Sequence, residues 1–202
     1  MLGFINKLRS LKRDDAGAAL VEFAFVAPVL ILLIMGILDV GHRIYATSIL
    51  QGSVQKAARD ASLDDGASNA GAIDARVKNL MLPVLQPEPI STFDFTRRNY
   101  SNFTDVSQPE DFTDTNNDGD CNNGEPYDDL NGNDSWDADR GATGQGNAKD
   151  AVLYTVRVTY PRLFPMAGLI GLPQEESIEA STVVRNQPFG EQSARGGIKN
   201  CT

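Results

Sequence analysis

The chain has 202 residues and a formal net charge of −9, which is enough sequence for one medium-sized domain rather than two large ones. The acidic balance argues against nucleic-acid binding, because that function requires a basic face. The two cysteines, Cys121 and Cys201, lie too far apart for a zinc motif and are compatible with two free thiols or one disulfide.

A long apolar run lies near the N-terminus. Its uncharged part, Phe23–Leu38, has sixteen residues and spans about 24 Å as a helix, or about 31 Å when extended back to Ala18, close to the thickness of a bilayer core. Basic residues before the run predict a cytoplasmic N-terminus, so that everything after Asp39 is exported. These bases are Lys7, Arg9, Lys12 and Arg13.

Three interpretations of this run are open. A cleaved secretory signal would need a small-residue cleavage site on its far side, and residues 36–42 fit that pattern poorly. A plain membrane anchor explains the length but not Glu22, a carboxylate just inside the segment that should be most apolar. The third interpretation places a processing site before the run, at Gly17.

Helical periodicity continues beyond the apolar run to Leu63, so residues 18–63 are predicted to form a transmembrane and extended amphipathic helix. Residues 1–17 before it are interpreted as a cytoplasmic leader. Pro28 is expected to kink the helix within the membrane rather than end it. After a break rich in Gly, Asp, Ser and Asn at residues 63–71, a short helix is predicted over Ile73–Leu82.

The exported part, residues 64–190, is predicted to be α+β, with a small antiparallel sheet packed on the long helix. Alternating apolar residues predict three strands, at Ile90–Thr96, Ala151–Pro161 and Glu176–Asn186. The apolar segment Leu163–Pro173 is too short to span lipid and is expected to be a buried loop, or alternatively a loop facing a membrane or a neighbour. The tail, residues 191–202, has no periodicity and is expected to be mobile unless Cys201 fixes it.

Residues 105–140 form an acidic insertion with twelve acids and one base. Inside it, the sequence DTNNDGDCNNGE matches every specified place of the calcium-loop pattern D-x-[DN]-x-[DN]-G-x5-E. Calcium is held by about six to eight oxygens, and side chains at alternate residues around one sharp turn supply them. The predicted ligands are Asp114, Asn116, Asp118, Asp120 (through its backbone carbonyl) and Glu125, with Gly119 at the turn.

A partial second copy of the pattern follows at residues 129–137, with Asp134 where the pattern has glycine. Its candidate ligands are Asp129, Asn131, Asn133 and Asp137, so we expect one or two calcium ions. Pro126 directly follows Glu125 and disfavours an exit helix, which predicts an EF-hand-like loop without its helix pair. The alternative is a solvated loop that binds no metal.

Catalytic motifs are missing from the sequence. Its one histidine is His42, at the outer end of the apolar run. There is no Ser-His-Asp set, glycine-rich phosphate loop or H-E-x-x-H motif. We therefore expect a structural protein rather than an enzyme.

The segment Gly17-Ala-Ala-Leu-Val-Glu22-Phe resembles the processing motif of type IV prepilins. In that family a membrane peptidase cleaves after a glycine on the cytoplasmic side, and a glutamate is the fifth residue of the mature chain. Counted from Ala18, Glu22 is the fifth residue. The resemblance implies that the new α-amine of one subunit meets the glutamate of a neighbour in a filament, since a carboxylate in a dry helix bundle is tolerated when it is paired.

The longer run GAALVEFAFVAPVLILLIMGILDVG resembles the start of TadE-like proteins of the tight-adherence (Flp, type IVc) pilus system. The sequence IEASTVVRNQPF, Ile178–Phe189, resembles the closing strand of that family. The resemblance implies a minor pilin or pseudopilin of the inner membrane, with its C-terminal domain periplasmic or extracellular. The implied partners are other pilins, the pilus-assembly machinery, a prepilin peptidase and the membrane.

A function of a different class remains open. The chain could be a single-pass, calcium-dependent surface adhesin or receptor that never enters a filament. This alternative predicts no processing at Gly17 and tolerance of Glu22→Gln.

The cysteines allow one further expectation. Both fall on the exported side, where disulfides persist. Cys121 takes the usually inward-facing eighth place of the predicted calcium loop, and Cys201 is near the end of a tail with no other anchor. A Cys121–Cys201 bridge would tie that tail down, and the alternative is free or intermolecular thiols.

Overall fold

A computed structural model of the chain describes residues 16–62, 69–86, 90–164, 168, 171–187, 191 and 196–202. Its first element is the helix α1, Ala16–Ala61, with 46 residues and Pro28 inside it. Apart from its last two residues, the predicted leader 1–17 lies outside the described part of the chain, and so does most of the predicted break at 63–71.

The chain divides into two compact units. The first comprises residues 1–43 and 162–174, and the second comprises residues 44–161 and 175–202. Within the described residues, one helix is long and apolar enough to cross a membrane, and its most apolar 18-residue window has a mean hydropathy of 2.6 with none of its residues buried. This helix therefore has the length and composition of a single-pass membrane anchor.

The second unit is built on a four-stranded antiparallel sheet. A helix, α2, Ala70–Met81, precedes the sheet along the chain. The strands are β1 Thr92–Tyr100, β3 Ala142–Thr143, β4 Ala151–Pro161 and β5 Glu175–Arg185. In the sheet they lie in the order β3-β1-β4-β5. The long helix followed by a small antiparallel sheet confirms the prediction of an α+β fold.

The core of the second unit lies between the helices and one face of the sheet. Alternate side chains of β4 are buried because successive strand residues point to opposite faces; these are Val152, Tyr154, Val156, Val158 and Tyr160. The last part of α1 presents Ala46, Leu50, Val54, Ala57, Ala58 and Ala61 to the same cluster. From α2, the residues Ile73, Val77 and Met81 complete it.

The acidic insertion contains little regular structure. A 3-10 turn, Phe103–Asp105, opens it, and the short strand β2, Pro126–Asp128, lies between the two predicted calcium loops. The tail contributes β6, Ile198–Asn200, which pairs with β2 antiparallel. A disulfide joins Cys121 to Cys201, with Cα atoms 5.5 Å apart. The end of the tail is thus paired with the insertion, where the sequence predicted no regular element.

Candidate functional site

The residues of the predicted processing motif lie at the start of α1. Gly17, Ala18 and Glu22 are exposed on the helix, and the first apolar side chains around Glu22 are exposed as well, namely Leu20, Val21 and Phe23. Apart from its chain neighbours and the backbone of its own helix, no atom of the described residues lies within 4 Å of the position that a Cβ on Gly17 would take. Glu22 is therefore a carboxylate on an apolar surface that the described chain leaves uncovered.

The first predicted calcium loop is a succession of tight turns held by its own carboxylates. Asp114 accepts backbone hydrogen bonds from Asn117 (2.6 Å) and Gly119 (3.0 Å) through its two oxygens. Asn116 Oδ1 accepts the N–H of Asp118, and Asp118 Oδ1 accepts the N–H of Asp120, both at 2.9 Å. These bonds hold the side chains at places 1, 3 and 5 against backbone N–H groups two to five residues further along the loop.

Glu125 closes this loop from its last place. Its Oε1 accepts the N–H groups of Thr115 (2.6 Å) and Asn116 (3.3 Å), and its Oε2 accepts the N–H of Asn122 (3.3 Å). The residue is only 2% exposed. The N–H of Thr115 is the largest of several bonds that hold the pKa of the Glu125 carboxyl below its usual range.

The second predicted loop repeats this geometry. Asp129 accepts the N–H groups of Gly132 (2.7 Å) and Asp134 (3.0 Å), matching the bonds of Asp114 to places 4 and 6. Asp134 adopts φ +62°, in the same left-handed region as Gly119 at φ +86°. Aspartate tolerates that region better than most residues, which explains how the loop turns without the glycine that the pattern specifies.

The last place of the second loop is filled by Glu110, a residue that the sequence analysis missed. Its Oε1 accepts the N–H groups of Leu130 (2.7 Å) and Asn131 (3.4 Å), and its Oε2 accepts the N–H of Asp137 (3.1 Å). These donors are places 2, 3 and 9, the same three that Glu125 engages in the first loop. Glu110 is only 1% exposed, and this burial raises the pKa of its carboxyl.

Asparagine amides point at one carboxylate in each loop. Asn116 and Asn122 donate their side-chain NH2 groups to Asp118 Oδ2, both at 2.8 Å. Asn131 and Asn133 donate to Asp137 Oδ2, both at 2.7 Å. Among the described residues, no three Asp, Glu, His or Cys side chains are gathered closely enough to hold a metal ion.

Basic side chains form ion pairs with acidic residues of the insertion. Lys199 on β6 contacts Asp134 at 2.6 Å, and this pairing raises the pKa of Lys199. Arg140 contacts Asp111 at 3.1 Å and Asp105 at 3.7 Å. The described residues give Glu110 and Glu125 no such ion pair, so both are buried carboxylates stabilised by neutral donors: backbone N–H groups in both cases, and also the Thr115 hydroxyl, which donates to Glu125 Oε1 at 2.9 Å.

The fold and the site together describe a membrane-anchored α+β protein with a structured acidic insertion. The model of the family TadE, described as TadE-like protein, matches residues 17–59. Over that segment, which contains the predicted processing motif and the apolar run, the chain is similar to TadE-like proteins. This bears out the N-terminal part of the resemblance, whereas the resemblance of Ile178–Phe189 to the closing strand of the family stays a prediction. No curated protein matches the chain, and neither does any solved structure.

Proposed function

We propose that this chain is a minor pilin or pseudopilin of a tight-adherence pilus, processed after Gly17 and assembled through its N-terminal helix. The observation that supports the proposal is the match to the TadE-like family over residues 17–59, the segment that contains the predicted processing motif and the apolar run. The proposed partners are other pilins, the pilus-assembly machinery and a prepilin peptidase in the inner membrane.

The exposed apolar surface of α1 supports assembly. In lipid, an ionised Glu22 would cost several kcal/mol unless it were paired. Pairing with the α-amine that cleavage creates on Ala18 of a neighbouring subunit would remove that cost, because the two opposite charges would share one site. In this account the apolar helix is both the membrane anchor and the surface through which subunits pack.

The test is Glu22→Gln, compared with Glu179→Gln, which removes an exposed acid from strand β5. We expect Glu22→Gln to leave membrane insertion unchanged but to reduce the amount of protein in the sheared pilus fraction and its cross-linking to pilus-assembly proteins. Glu179→Gln should change neither. Wild-type assembly of Glu22→Gln would instead favour the alternative, a membrane-anchored adhesin or receptor outside any filament.

We also propose that the acidic insertion binds calcium, at one or both loops. Two observations favour it: the loops share one arrangement of turns, and each buries a glutamate to which the described residues give no ion pair. Rotation of an asparagine amide exchanges its NH2 group for its oxygen, so the amides that now point at Asp118 and Asp137 could present oxygens to a cation instead. The proposed ligands are Asp114, Asn116, Asp118, Asp120 and Glu125 in one loop and Asp129, Asn131, Asn133, Asp137 and Glu110 in the other.

A further inference from the structure

The connection from β4 to β5 carries apolar side chains that the fold leaves in the open. Residues 163–173 contain no charged residue. At its two ends, Leu163 is 48% exposed and Leu172 is 49% exposed. Isolated exposed leucines need no explanation, but here they begin and end an uncharged run in which every described residue except Phe164 is exposed.

Arg162 fastens both ends of this connection to each other and to α1. Its backbone N–H donates to the carbonyl of Gln174 at 2.9 Å, and its Nε donates to the carbonyl of Pro173 at 3.0 Å. Its guanidinium also pairs with Asp39 on α1, and both side chains of this pair are less than one-fifth exposed. The connection therefore belongs to the same compact unit as the apolar part of α1, not to the unit that contains the strands it links.

The position of Asp39 sets the level of this contact along the helix. It is the first charged residue after the uncharged run Phe23–Leu38, and His42 and Arg43 follow within one turn. Charged residues at the end of a membrane-length run lie at the boundary between acyl chains and headgroups. A loop pinned to Asp39 is thus held beside that boundary, with apolar side chains exposed where lipid would surround them.

We propose that Leu163 and Leu172, described residues near the two ends of the β4–β5 connection, form a second membrane contact and insert into the headgroup boundary of the bilayer at the Asp39 end of the apolar run. The proposal rests on α1 being a membrane anchor. Apolar side chains at this level gain free energy by leaving water for the acyl region, whereas charged ones would not. The Arg162–Asp39 pair then positions these leucines at this level.

The occupant is lipid rather than protein because the surface continues that of the anchor helix. The exposed apolar side chains of α1 include Leu38 and Val40, which flank Asp39, the residue that holds the loop. A contact with a second copy of the chain would bury the same leucines, so the test must separate the two.

The experiment uses the full chain in lipid nanodiscs that hold one copy each. Tryptophan is introduced by Leu172→Trp, Leu30→Trp or Leu82→Trp, and fluorescence is quenched by lipids brominated near the headgroup end or near the middle of the acyl chain. The native Trp136 provides the baseline. Leu30 lies in the middle of the apolar run and reports insertion, while Leu82, 46% exposed in the second unit, matches Leu172 in exposure.

We expect a blue-shifted emission for Leu172→Trp and stronger quenching by the shallow bromines than by the deep ones. Leu30→Trp should be quenched most by the deep bromines, and Leu82→Trp should remain at the baseline. Adding Asp39→Asn should reduce the quenching of Leu172→Trp without changing that of Leu30→Trp, because only the positioning contact is lost.

The other possible outcomes of the quenching experiment lead to different conclusions. Quenching of Leu30→Trp with no quenching of Leu172→Trp would overturn the membrane contact and leave the anchor intact. Absence of quenching at both sites would overturn the anchor itself. Equal quenching of Leu82→Trp would show that exposure alone explains the signal, and a blue shift that needs several copies per disc, without lipid quenching, would make the occupant a second copy of the chain.

Discussion

Asp74 on α2 holds two residues of the sheet with one carboxylate. Arg97 donates to both of its oxygens, at 2.5 and 3.1 Å, and the Tyr154 hydroxyl donates to Oδ1 at 2.6 Å. The Arg97 guanidinium also lies 4.4 Å from the centre of the Tyr154 ring. Burial and the bond to Asp74 raise the pKa of Tyr154, so its hydroxyl remains a donor throughout the ordinary pH range.

Asp74→Ala should destabilise the protein by about 3 kcal/mol, because it leaves the Arg97 charge unpaired in a site that is mostly shielded from water. Urea unfolding of the full chain in detergent, followed by Trp136 fluorescence, measures the change. The control is Glu179→Ala, which breaks the well-exposed pair with Arg157 and should cost less than about 1 kcal/mol. Equal effects of the two substitutions would contradict the structural role of Asp74.

The two buried glutamates predict opposite pH dependences in the absence of calcium. Glu125 has a lowered pKa, so it adds stability above its usual pKa of 4.5 that is lost as the pH falls through the folded-state value. Glu110 has a raised pKa, so its contribution is largest below 4.5 and is lost as the pH rises through the folded-state value.

Unfolding of chelated wild type, Glu110→Gln and Glu125→Gln across this range tests the signs. Relative to Glu110→Gln, the wild type should become less stable as the pH rises above 4.5. Relative to Glu125→Gln, the wild type should become less stable as the pH falls below 4.5. Differences that slope the same way would show that the two carboxyls do not occupy contrasting environments.

At the scale of single elements, the disulfide and β6 together hold the end of the chain against the insertion. Besides the strand pairing, Gly124 donates its N–H to the carbonyl of Cys201 at 3.0 Å, and Cys201 donates to the carbonyl of Glu125 at 2.8 Å. These bonds bring the tail to the last turn of the first loop. The disulfide thus braces the glutamate that closes that loop.

Cys201→Ser should lower the free energy of unfolding by up to about 4.5 kcal/mol, the chain-entropy value for a loop of this length, since 80 residues separate the two cysteines. Denaturant unfolding with and without reductant measures it. Reductant should reduce wild-type stability to that of the variant and leave the variant unchanged. Two alkylatable thiols in unreduced wild type would contradict the bridge.

Elements with strong local patterns could be predicted from the sequence. The alternation in Ala151–Pro161 predicted β4 residue for residue, because one buried face enforces a period of two. The first strand was predicted two residues early and four residues short. Near its observed end, Arg98 and Asn99 pair with the two-residue strand β3, and so short a partner has no sequence signal of its own.

The role of Glu110 could not have been found from spacing. It precedes the second loop by nineteen residues, whereas the calcium-loop pattern requires its glutamate after the turn. Folding brings it there through the hydrogen bond from its N–H to the Asp137 carbonyl and through the Trp136 indole, which donates to the Glu110 carbonyl at 2.8 Å. The one sequence signal was the second loop itself, which lacked a glutamate at its last place.

For the whole molecule, calcium should stabilise the second unit, because a bound cation offsets the mutual repulsion of the carboxylates in the insertion. Extracellular modules bind with Kd of roughly 10⁻⁴ to 10⁻³ M, so millimolar calcium should add only about 0.4 to 1.4 kcal/mol per site. Melting curves of the full chain with calcium and with chelator measure this gain. Glu110→Gln and Glu125→Gln should each reduce it, and the double variant should abolish it.

The matched control for calcium is Asp128→Asn, which removes an exposed acid from β2 between the loops. It should leave the calcium response intact. Identical melting temperatures with and without calcium in the wild type would indicate that the insertion is a solvated loop that binds no calcium. A response that Asp128→Asn weakens as much as Glu110→Gln would point to general charge screening instead of two built sites.

Assembly of the whole molecule as a pilin-like subunit depends on cleavage after Gly17. A pilin-like subunit must lose its leader for the Ala18 amine to pair with Glu22 of a neighbour, whereas a membrane-anchored receptor has no need of that step. N-terminal sequencing of the membrane-purified protein, from cells with an active prepilin peptidase, measures it most directly. We predict a mature chain that begins at Ala18, and a chain that still begins at Met1 in those cells would contradict the account.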